Sequence, residues 1–141
     1  MYNIFLFFSF ILLFFSNPLK NISKEYITVE IEPNLKVKAE VANTPFKRAK
    51  GLMFKEPLEK NEGMLFIFPK EKAPSFYNKN VKFNVLVLWV NKDLKVTNVS
   101  ILNKNSFKTE RPNEKILYVL ELNADKFSNP QRFIGKTLKF L

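Results

Sequence analysis

Apolar and polar residues alternate in several short stretches of the chain, and this period of two is typical of half-buried β-strands. The alternation is regular over residues 27–31 and 35–42, and Pro33-Asn34 between them predicts a hairpin turn. Further strands are predicted at residues 64–68, 81–90, 94–102, 116–122 and 137–141. The alternation changes phase near Thr97-Asn98, which predicts a β-bulge in the fifth strand.

One short helix is predicted near residues 45–50. Thr44 can cap its amino end, Pro45 suits its first position, and Gly51 suits the left-handed conformation in which helices end. The strand at 64–68 is apolar on both faces, so we expect it to be central. About seven short strands and one brief helix predict a mainly β fold, an antiparallel sandwich or barrel.

An apolar stretch precedes this β-rich region. Residues 4–15 read IFLFFSFILLFF, and as a helix they would cover roughly 18–24 Å, less than the ~30 Å hydrocarbon core of a bilayer. The short length favours a signal peptide, whereas the lack of paired small residues near Ser16 favours an uncleaved anchor. The alternative, a buried first helix, would need apolar cover on all sides.

The chain is therefore divided into three parts. Residues 1–19 are predicted to be a signal peptide or N-terminal membrane anchor with an apolar helix, residues 20–25 a linker, and residues 26–141 a single β-rich domain. This division predicts an extracytoplasmic protein, either secreted or held at the membrane by its N-terminal segment.

The composition excludes several kinds of chemistry. The chain has neither cysteine nor histidine, which removes disulfides, thiol nucleophiles, Cys/His zinc sites and imidazole-dependent triads. The net charge of +10 comes mostly from lysine, with three arginines and no run of three basic residues. Because arginine is the usual bidentate phosphate ligand, we do not expect nucleic-acid binding. No metal or cofactor is expected either.

Several motifs carry a family resemblance. KRAKGLM is followed ten residues after GLM by GMLFIF, and FYNKN, YVLEL and IGKTL come later in the same order. With these motifs the chain resembles, over about residues 27–141, the family called domain of unknown function 192. The resemblance implies a compact β-rich domain, often behind an export signal, and implies no activity. It marks as structural motif residues Gly51, Leu52, Met53, Gly63 and Met64.

The chain also departs from the family pattern. Tyr77 and Asn78 stand where the family has Trp-Met, Asn84 stands where it has Pro, and Leu86 stands where it has Asp. If that Asp were essential to a family activity, this chain would lack it.

Two charged residues are the first candidates for a site. Glu121 shares a predicted strand face with Leu117 and Val119, and a carboxylate on an apolar face must be at a strand end, paired or neutral. Arg48 in the GLM motif is its natural partner. We therefore hypothesise a bidentate Arg48–Glu121 ion pair that fixes the helix against the sheet, with ligand binding as the alternative use.

A second set of candidates lies in the polar segment before the fourth strand. Phe76, Tyr77, Lys79 and Asn80 combine aromatic, amide and basic groups that can line a pocket, although a loop anchored by its own aromatic residues is the other interpretation. The predicted binding surface is a groove between the Arg48 helix, the 70–80 loop and the 103–115 loop. No catalytic residue is assigned.

The leading prediction is a non-enzymatic binding or structural module for a small molecule, glycan, peptide or protein partner. One alternative is a carboxylate-dependent hydrolase or lyase that uses Glu121 with Lys79 or Arg48, which would require a polar pocket around a carboxyl of raised pKa. Another is a lysine-rich face that binds an anionic membrane surface.

Overall fold

The computed structural model describes residues 25–141. The predicted signal peptide or membrane anchor at 1–19 therefore lies outside the described residues, as does the predicted linker apart from Glu25. Within residues 25–141 the only α-helix is short, and none is long and apolar enough to cross a membrane.

Seven strands and one α-helix make up the described domain. The strands are β1 (Tyr26–Glu32), β2 (Leu35–Ala42), β3 (Glu62–Lys72), β4 (Val85–Val90), β5 (Val96–Leu102), β6 (Ile116–Asn123) and β7 (Lys139–Phe140). The helix α1 spans Pro45–Lys50, and two 3-10 turns, Ala124–Lys126 and Pro130–Phe133, lie between β6 and β7. The mainly β class, the number of strands and the single short helix are confirmed.

All seven strands of the described domain belong to one sheet, in the order β5-β4-β6-β3-β2-β1-β7. Neighbouring strands are antiparallel except β2 and β3, which are parallel and are connected through α1. The prediction of a wholly antiparallel fold is therefore wrong, because alternation predicts a strand but not its direction. A connection that contains a helix is long enough to return the chain in parallel.

The two edges of the sheet approach each other. Lys95, just before β5, forms an antiparallel bridge with Thr137, just before β7. Two hydrogen bonds extend this contact, from the Val96 amide to the Lys136 carbonyl and from the Gly135 amide to the Val96 carbonyl, both 2.8 Å. The sheet is thus curled towards a barrel, and the two-sheet sandwich is not the architecture.

The curled sheet has an apolar cluster on each face. The inner cluster, within the curl, contains Leu65 and Ile67 of β3, whereas the outer cluster contains Phe66 and Phe68. Consecutive residues of β3 are therefore buried on opposite faces, as the pleat of a strand requires. This confirms that β3 is a central strand, between β2 and β6.

The signals around α1 are confirmed in detail. The Thr44 side chain accepts a hydrogen bond of 3.2 Å from the Lys47 amide, and Pro45 is the first helical residue. Gly51 ends the helix with φ of 49°, a conformation that L side chains rarely adopt, and its amide donates to the Lys47 carbonyl at 2.9 Å.

Several strand boundaries differ from prediction, since β3 runs on to Lys72 instead of ending at residue 68 and β7 is shortened to Lys139–Phe140. β4 begins at Val85 instead of residue 81, and β5 begins at Val96 because Leu94 has φ of 64°, which a strand cannot accommodate. In the β4–β5 ladder Trp89 pairs with Asn98 and Val90 with Val96. Thr97 is therefore the extra residue, and the predicted bulge is confirmed.

Candidate functional site

A pocket lies on the outer face of the sheet, between α1 and the segment 75–79. We call it the α1 pocket; its volume is about 290 Å³. The sheet contributes Phe66 and Glu121 to its lining. The remaining lining residues come from the two covering segments and are Arg48, Ala49, Lys50, Gly51, Leu52, Met53, Ser75, Phe76, Tyr77, Asn78, Lys79 and Val81.

Phe76 holds the segment 75–79 over the sheet. Its ring makes edge-on contacts with Phe66 and Trp89 of the outer cluster, with centroids 5.0 and 5.3 Å apart. Its backbone amide and carbonyl exchange two hydrogen bonds of 2.9 Å with Glu110 of the loop before β6. Phe76 therefore anchors the wall of the pocket that segment 75–79 forms, and its ring also lines the cavity.

Glu121 is a buried carboxyl group among apolar neighbours. It lies on β6 between Met64 of β3 and Val87 of β4, and only 5% of its surface is exposed. Burial raises the pKa of Glu121 to about 8, so the group is mainly protonated at neutral pH. Within residues 25–141 the carboxyl group forms no ion pair and no hydrogen bond.

The strand face of Glu121 differs in part from the prediction. Val119 lies in the outer cluster, on the same face as Glu121, but Leu117 belongs to the inner cluster. The register of β3 and β6 shifts beyond the Ile67–Tyr118 pair, and strict alternation is lost at this end of β6. The described residues contain no group of three or more acidic side chains placed to hold a metal ion.

Arg48 does not pair with Glu121. Its Nη1 donates a hydrogen bond of 2.9 Å to the Ile67 carbonyl, and its guanidinium lies 5.4 Å from the centre of the Phe68 ring. Burial lowers the pKa of Arg48. The predicted ion pair is therefore wrong, because Ile67 lies where the β3–β6 register shifts and offers a backbone acceptor to the arginine. Arg48 still joins the helix to the sheet, and both residues line the α1 pocket.

The other predicted binding residues divide into two groups. Phe76, Tyr77 and Lys79 line the pocket, whereas Asn80 does not. Asn80 has φ of 56°, and its carbonyl accepts a 3.0 Å hydrogen bond from the Phe54 amide. The 103–115 loop supports the segment 75–79 from outside but does not line the cavity, which corrects the predicted groove.

The motif glycines and apolar residues surround this site. Leu52 and Met53 follow α1 into the pocket lining, and Met64 is buried beside Glu121. Gly63 is required by close packing, since a Cβ atom there would lie 2.9 Å from both the Glu121 carbonyl oxygen and a Val37 methyl group. The paired glycine motifs thus allow the helix and β3 to approach their neighbours closely.

Asn78 is a buried site residue that sequence reasoning did not single out. Its Nδ2 donates to the carbonyls of Phe83, Leu102 and Asn103 at 3.0, 3.3 and 3.1 Å. These acceptors are backbone atoms, two of them more than twenty residues away along the chain. No local sequence pattern could have revealed these acceptors. The only signal for the role of Asn78 was that it is a polar residue at a position where the family pattern has an apolar one.

Leu86, which stands where the family has Asp, lies away from the pocket. It is fully buried in the inner cluster, whereas its neighbours Val85 and Val87 belong to the outer cluster with the pocket floor. The departure at this position therefore does not remove a group from the α1 pocket.

The fold and the site define a class: a small β domain whose curled sheet carries a carboxyl-containing pocket on its outer face. Residues 27–140 match the model of the domain of unknown function 192, described as "Uncharacterized ACR, COG1430". The chain belongs to this uncharacterised family. No curated protein shows significant sequence similarity to it.

Two solved structures share the fold. One is a "putative transcription regulator" from Sinorhizobium meliloti 1021, with a TM-score of 0.71 and 23% identity over 82% of this chain and 92% of that chain. The other is a protein of unknown function from Novosphingobium aromaticivorans DSM 12444, with a TM-score of 0.70 and 24% identity over 81% of this chain and 83% of that one. At this identity the likeness shows the fold alone.

Proposed function

We propose that the domain is a binding module and that its α1 pocket takes a small organic molecule. The observation that carries this proposal is the carboxyl group of Glu121, which lines a cavity and forms no ion pair or hydrogen bond within residues 25–141. No fully buried side-chain oxygen in these residues lacks a partner, so the Glu121 oxygens are open to the cavity. Buried polar groups in folded proteins are normally hydrogen-bonded, because an unpaired group costs free energy. A bound molecule would supply the missing partner.

The lining indicates the chemistry of that molecule. Phe66 and Phe76 present ring surface for an apolar or aromatic body, and a protonated Glu121 can donate a hydrogen bond to a carbonyl or hydroxyl oxygen. Lys50 and Lys79 at the pocket edge favour a polar or anionic group at the other end. A cavity of about 290 Å³ is at the small end of ligand pockets, which favours a small molecule over a glycan chain, a peptide or a protein.

Native mass spectrometry of the full chain purified from its own source tests this proposal. We expect a bound molecule in the wild type and in Glu71→Gln, which removes an exposed carboxylate that is not part of the pocket lining. Ser75→Trp should block the pocket, and Glu121→Ala should release the molecule. The proposal fails if the blocked variant carries the same molecule, or if neither native protein nor a fragment screen by ligand-observed NMR shows pocket-dependent binding.

A second candidate function is a hydrolase or lyase in which Glu121 acts as general acid or base. The raised pKa lies near the operating pH of such groups, and Lys79 and Arg48 line the same cavity. Glu121→Gln separates the two functions, since an amide can keep a hydrogen bond but cannot transfer the proton. Enzymatic turnover predicts a bound molecule that stays intact in this variant and is converted by the wild type; equal conversion would contradict it.

We propose further that residues 1–19 export the domain or anchor it to a membrane. The apolar run at 4–15 supports this. N-terminal sequencing of native material tests it, because a start near residue 17–20 indicates cleavage and an intact Met1 in the membrane fraction indicates an anchor. An intact Met1 in the soluble fraction would contradict both.

A further inference from the structure

Three neighbouring surface segments are joined to one another, and we call them the aromatic rim: residues 45–56 and 75–82, which both contribute to the lining of the α1 pocket, and residues 104–111, which support the second segment without lining the cavity. Backbone hydrogen bonds join them. The Phe54 amide donates to the Asn80 carbonyl and the Asn78 amide donates to the Ser106 carbonyl, both at 3.0 Å. The rim is thus a connected surface and not three independent loops.

Every segment of the rim exposes at least one aromatic side chain, and residues 45–56 expose two, Phe46 (77%) and Phe54. Phe54 is 74% exposed, Phe107 71% and Tyr77 49%. Phe54 also has φ of 65°, a left-handed conformation that is unfavourable for a bulky residue. A phenylalanine that is both strained and exposed stabilises little within the chain, and exposed aromatic residues that cluster in this way mark an interaction surface.

The rim also concentrates positive charge. Its 28 residues carry nine basic and two acidic side chains, a net charge of +7 out of +10 for the whole chain. The two acidic residues, Glu56 and Glu110, are already paired with rim lysines. By contrast, Lys50, Lys79 and Lys104 form no ion pair within residues 25–141. The rim therefore offers free positive charge beside exposed aromatic groups.

We propose that the aromatic rim docks the domain on an anionic lipid surface. Aromatic side chains favour the interface between headgroups and acyl chains, and lysines near it are attracted to anionic lipids. Nucleic acid fits this surface less well, because seven of the nine rim cations are lysines and Arg48 already binds the Ile67 carbonyl. The proposal does not depend on a ligand in the α1 pocket.

The start of the described chain lies beside the rim. The Glu25 carbonyl accepts a 2.8 Å hydrogen bond from the Val41 amide, and the neighbouring Glu40 pairs with Lys55 of the rim at 2.6 Å. Nine residues, 16–24, separate this point from the apolar run at 4–15, and they can span at most about 30 Å. A membrane that held the apolar run would therefore be within reach of the rim.

Single-cysteine labelling of the full chain tests the proposal, since the natural sequence has no cysteine. A polarity-sensitive dye is attached to the cysteine of one of two variants, Thr109→Cys in the rim or Lys92→Cys in the turn between β4 and β5. This turn lies at one end of the β4–β5 hairpin, and the rim lies at the other end. On phosphatidylcholine vesicles with about 30 mol% phosphatidylglycerol, we expect the dye emission to shift to the blue at position 109 but not at position 92. About 0.5 M salt should reverse this shift. A response equal at both positions, or equal on vesicles without anionic lipid, overturns the proposal.

Variants separate docking from folding. Phe54→Gly with Phe107→Ser, or Lys79→Gln with Lys104→Gln, should reduce the dye response or raise the lipid concentration needed by about tenfold. Ile134→Ser, an exposed residue near the bridged sheet edges, is the matched control and should change neither. Unchanged vesicle binding in both rim variants overturns the proposal. So does salt-sensitive binding of duplex DNA that competes with vesicles and does not require Phe54 or Phe107.

Discussion

The two faces of the curled sheet are built differently although the same strands form both. The inner cluster carries no charged side chain, whereas the outer face includes a carboxyl group, a cavity and a cover of loops and one short helix. Leu120 and Glu121 are neighbours on β6 and show the contrast directly. Leu120 lies between Leu65 and Leu88 within the inner cluster, and Glu121 lies between Met64 and Val87 on the outer face.

This difference shows where the domain can tolerate features that reduce stability. The inner face is enclosed by the curled sheet and by the segment between β6 and β7, which contributes Phe127 and Phe133, so its residues are almost wholly buried. Of the four non-glycine residues with positive φ within residues 25–141, the cover of the outer face carries three, Phe54, Asn80 and Asn105, whereas Leu94 packs against the inner cluster. Unfavourable backbone conformations and unpaired buried groups tend to occur together at functional sites. The outer face is therefore where function is expected.

The largest effect is expected when a carboxyl group is moved from one face to the other. Leu120→Glu places it in the inner cluster with neither cavity nor partner, at a cost of several kcal/mol, comparable with the total stability of about 5–15 kcal/mol for a small domain. We expect no cooperative unfolding transition by circular dichroism. Glu121→Leu is the matched variant and should fold. A folded Leu120→Glu protein that loses less than about 2 kcal/mol would show that the inner face is not closed.

The pH dependence of stability should isolate Glu121. Its pKa of about 8 exceeds the ordinary value of 4.5, so between these values the folded protein binds more protons than the unfolded one. The free energy of unfolding therefore falls as pH rises through this window, by up to about 1.4 kcal/mol per pH unit from this group. Above pH 8 the penalty is complete.

Glu121→Gln removes this penalty because an amide does not ionise. The variant and the wild type should be similar in stability near pH 5, and the variant should be more stable by about 4 kcal/mol near pH 9. Urea unfolding at both pH values measures the difference. Glu71→Gln, an exposed carboxylate, provides the control and should show no such divergence. Parallel stability curves for Glu121→Gln and the wild type would mean that the carboxyl group is ionised and solvated in the fold.

The prediction from sequence succeeded where the signal is local. The capping residue Thr44, the helix-ending Gly51 and the bulge at Thr97 each depend on neighbours within a few residues. It failed where the partner is a backbone atom far along the chain. Arg48 bonds to a carbonyl at a register shift, and neither that carbonyl nor the parallel direction of β2 and β3 has a side-chain signature. Most of the pocket residues could therefore be predicted from the sequence, but their hydrogen-bond partners could not.

Asn78 should be the main support of the pocket wall. Asn78→Ala removes the amide group that donates to three buried backbone carbonyls. The loss should lower the free energy of unfolding, measured in urea, by about 1–3 kcal/mol. Asn103→Ala is the control, because that residue uses its backbone carbonyl and its side chain is exposed, and it should change stability by less than about 0.5 kcal/mol. Equal costs for the two variants would argue that the three hydrogen bonds do not hold the wall.

The smallest effect should also have the opposite sign. Phe54 and Phe46 are both exposed, at 74% and 77%, but Phe54 has left-handed backbone geometry and Phe46 lies in α1. Glycine relieves the strain at 54, so Phe54→Gly should leave stability unchanged or raise it by up to about 1 kcal/mol. In the helix the same change should cost about 0.5–1 kcal/mol. Thermal unfolding of the two variants decides the point. If both variants lose the same amount of stability, the Phe54 side chain packs within the fold and is not free to contact a partner.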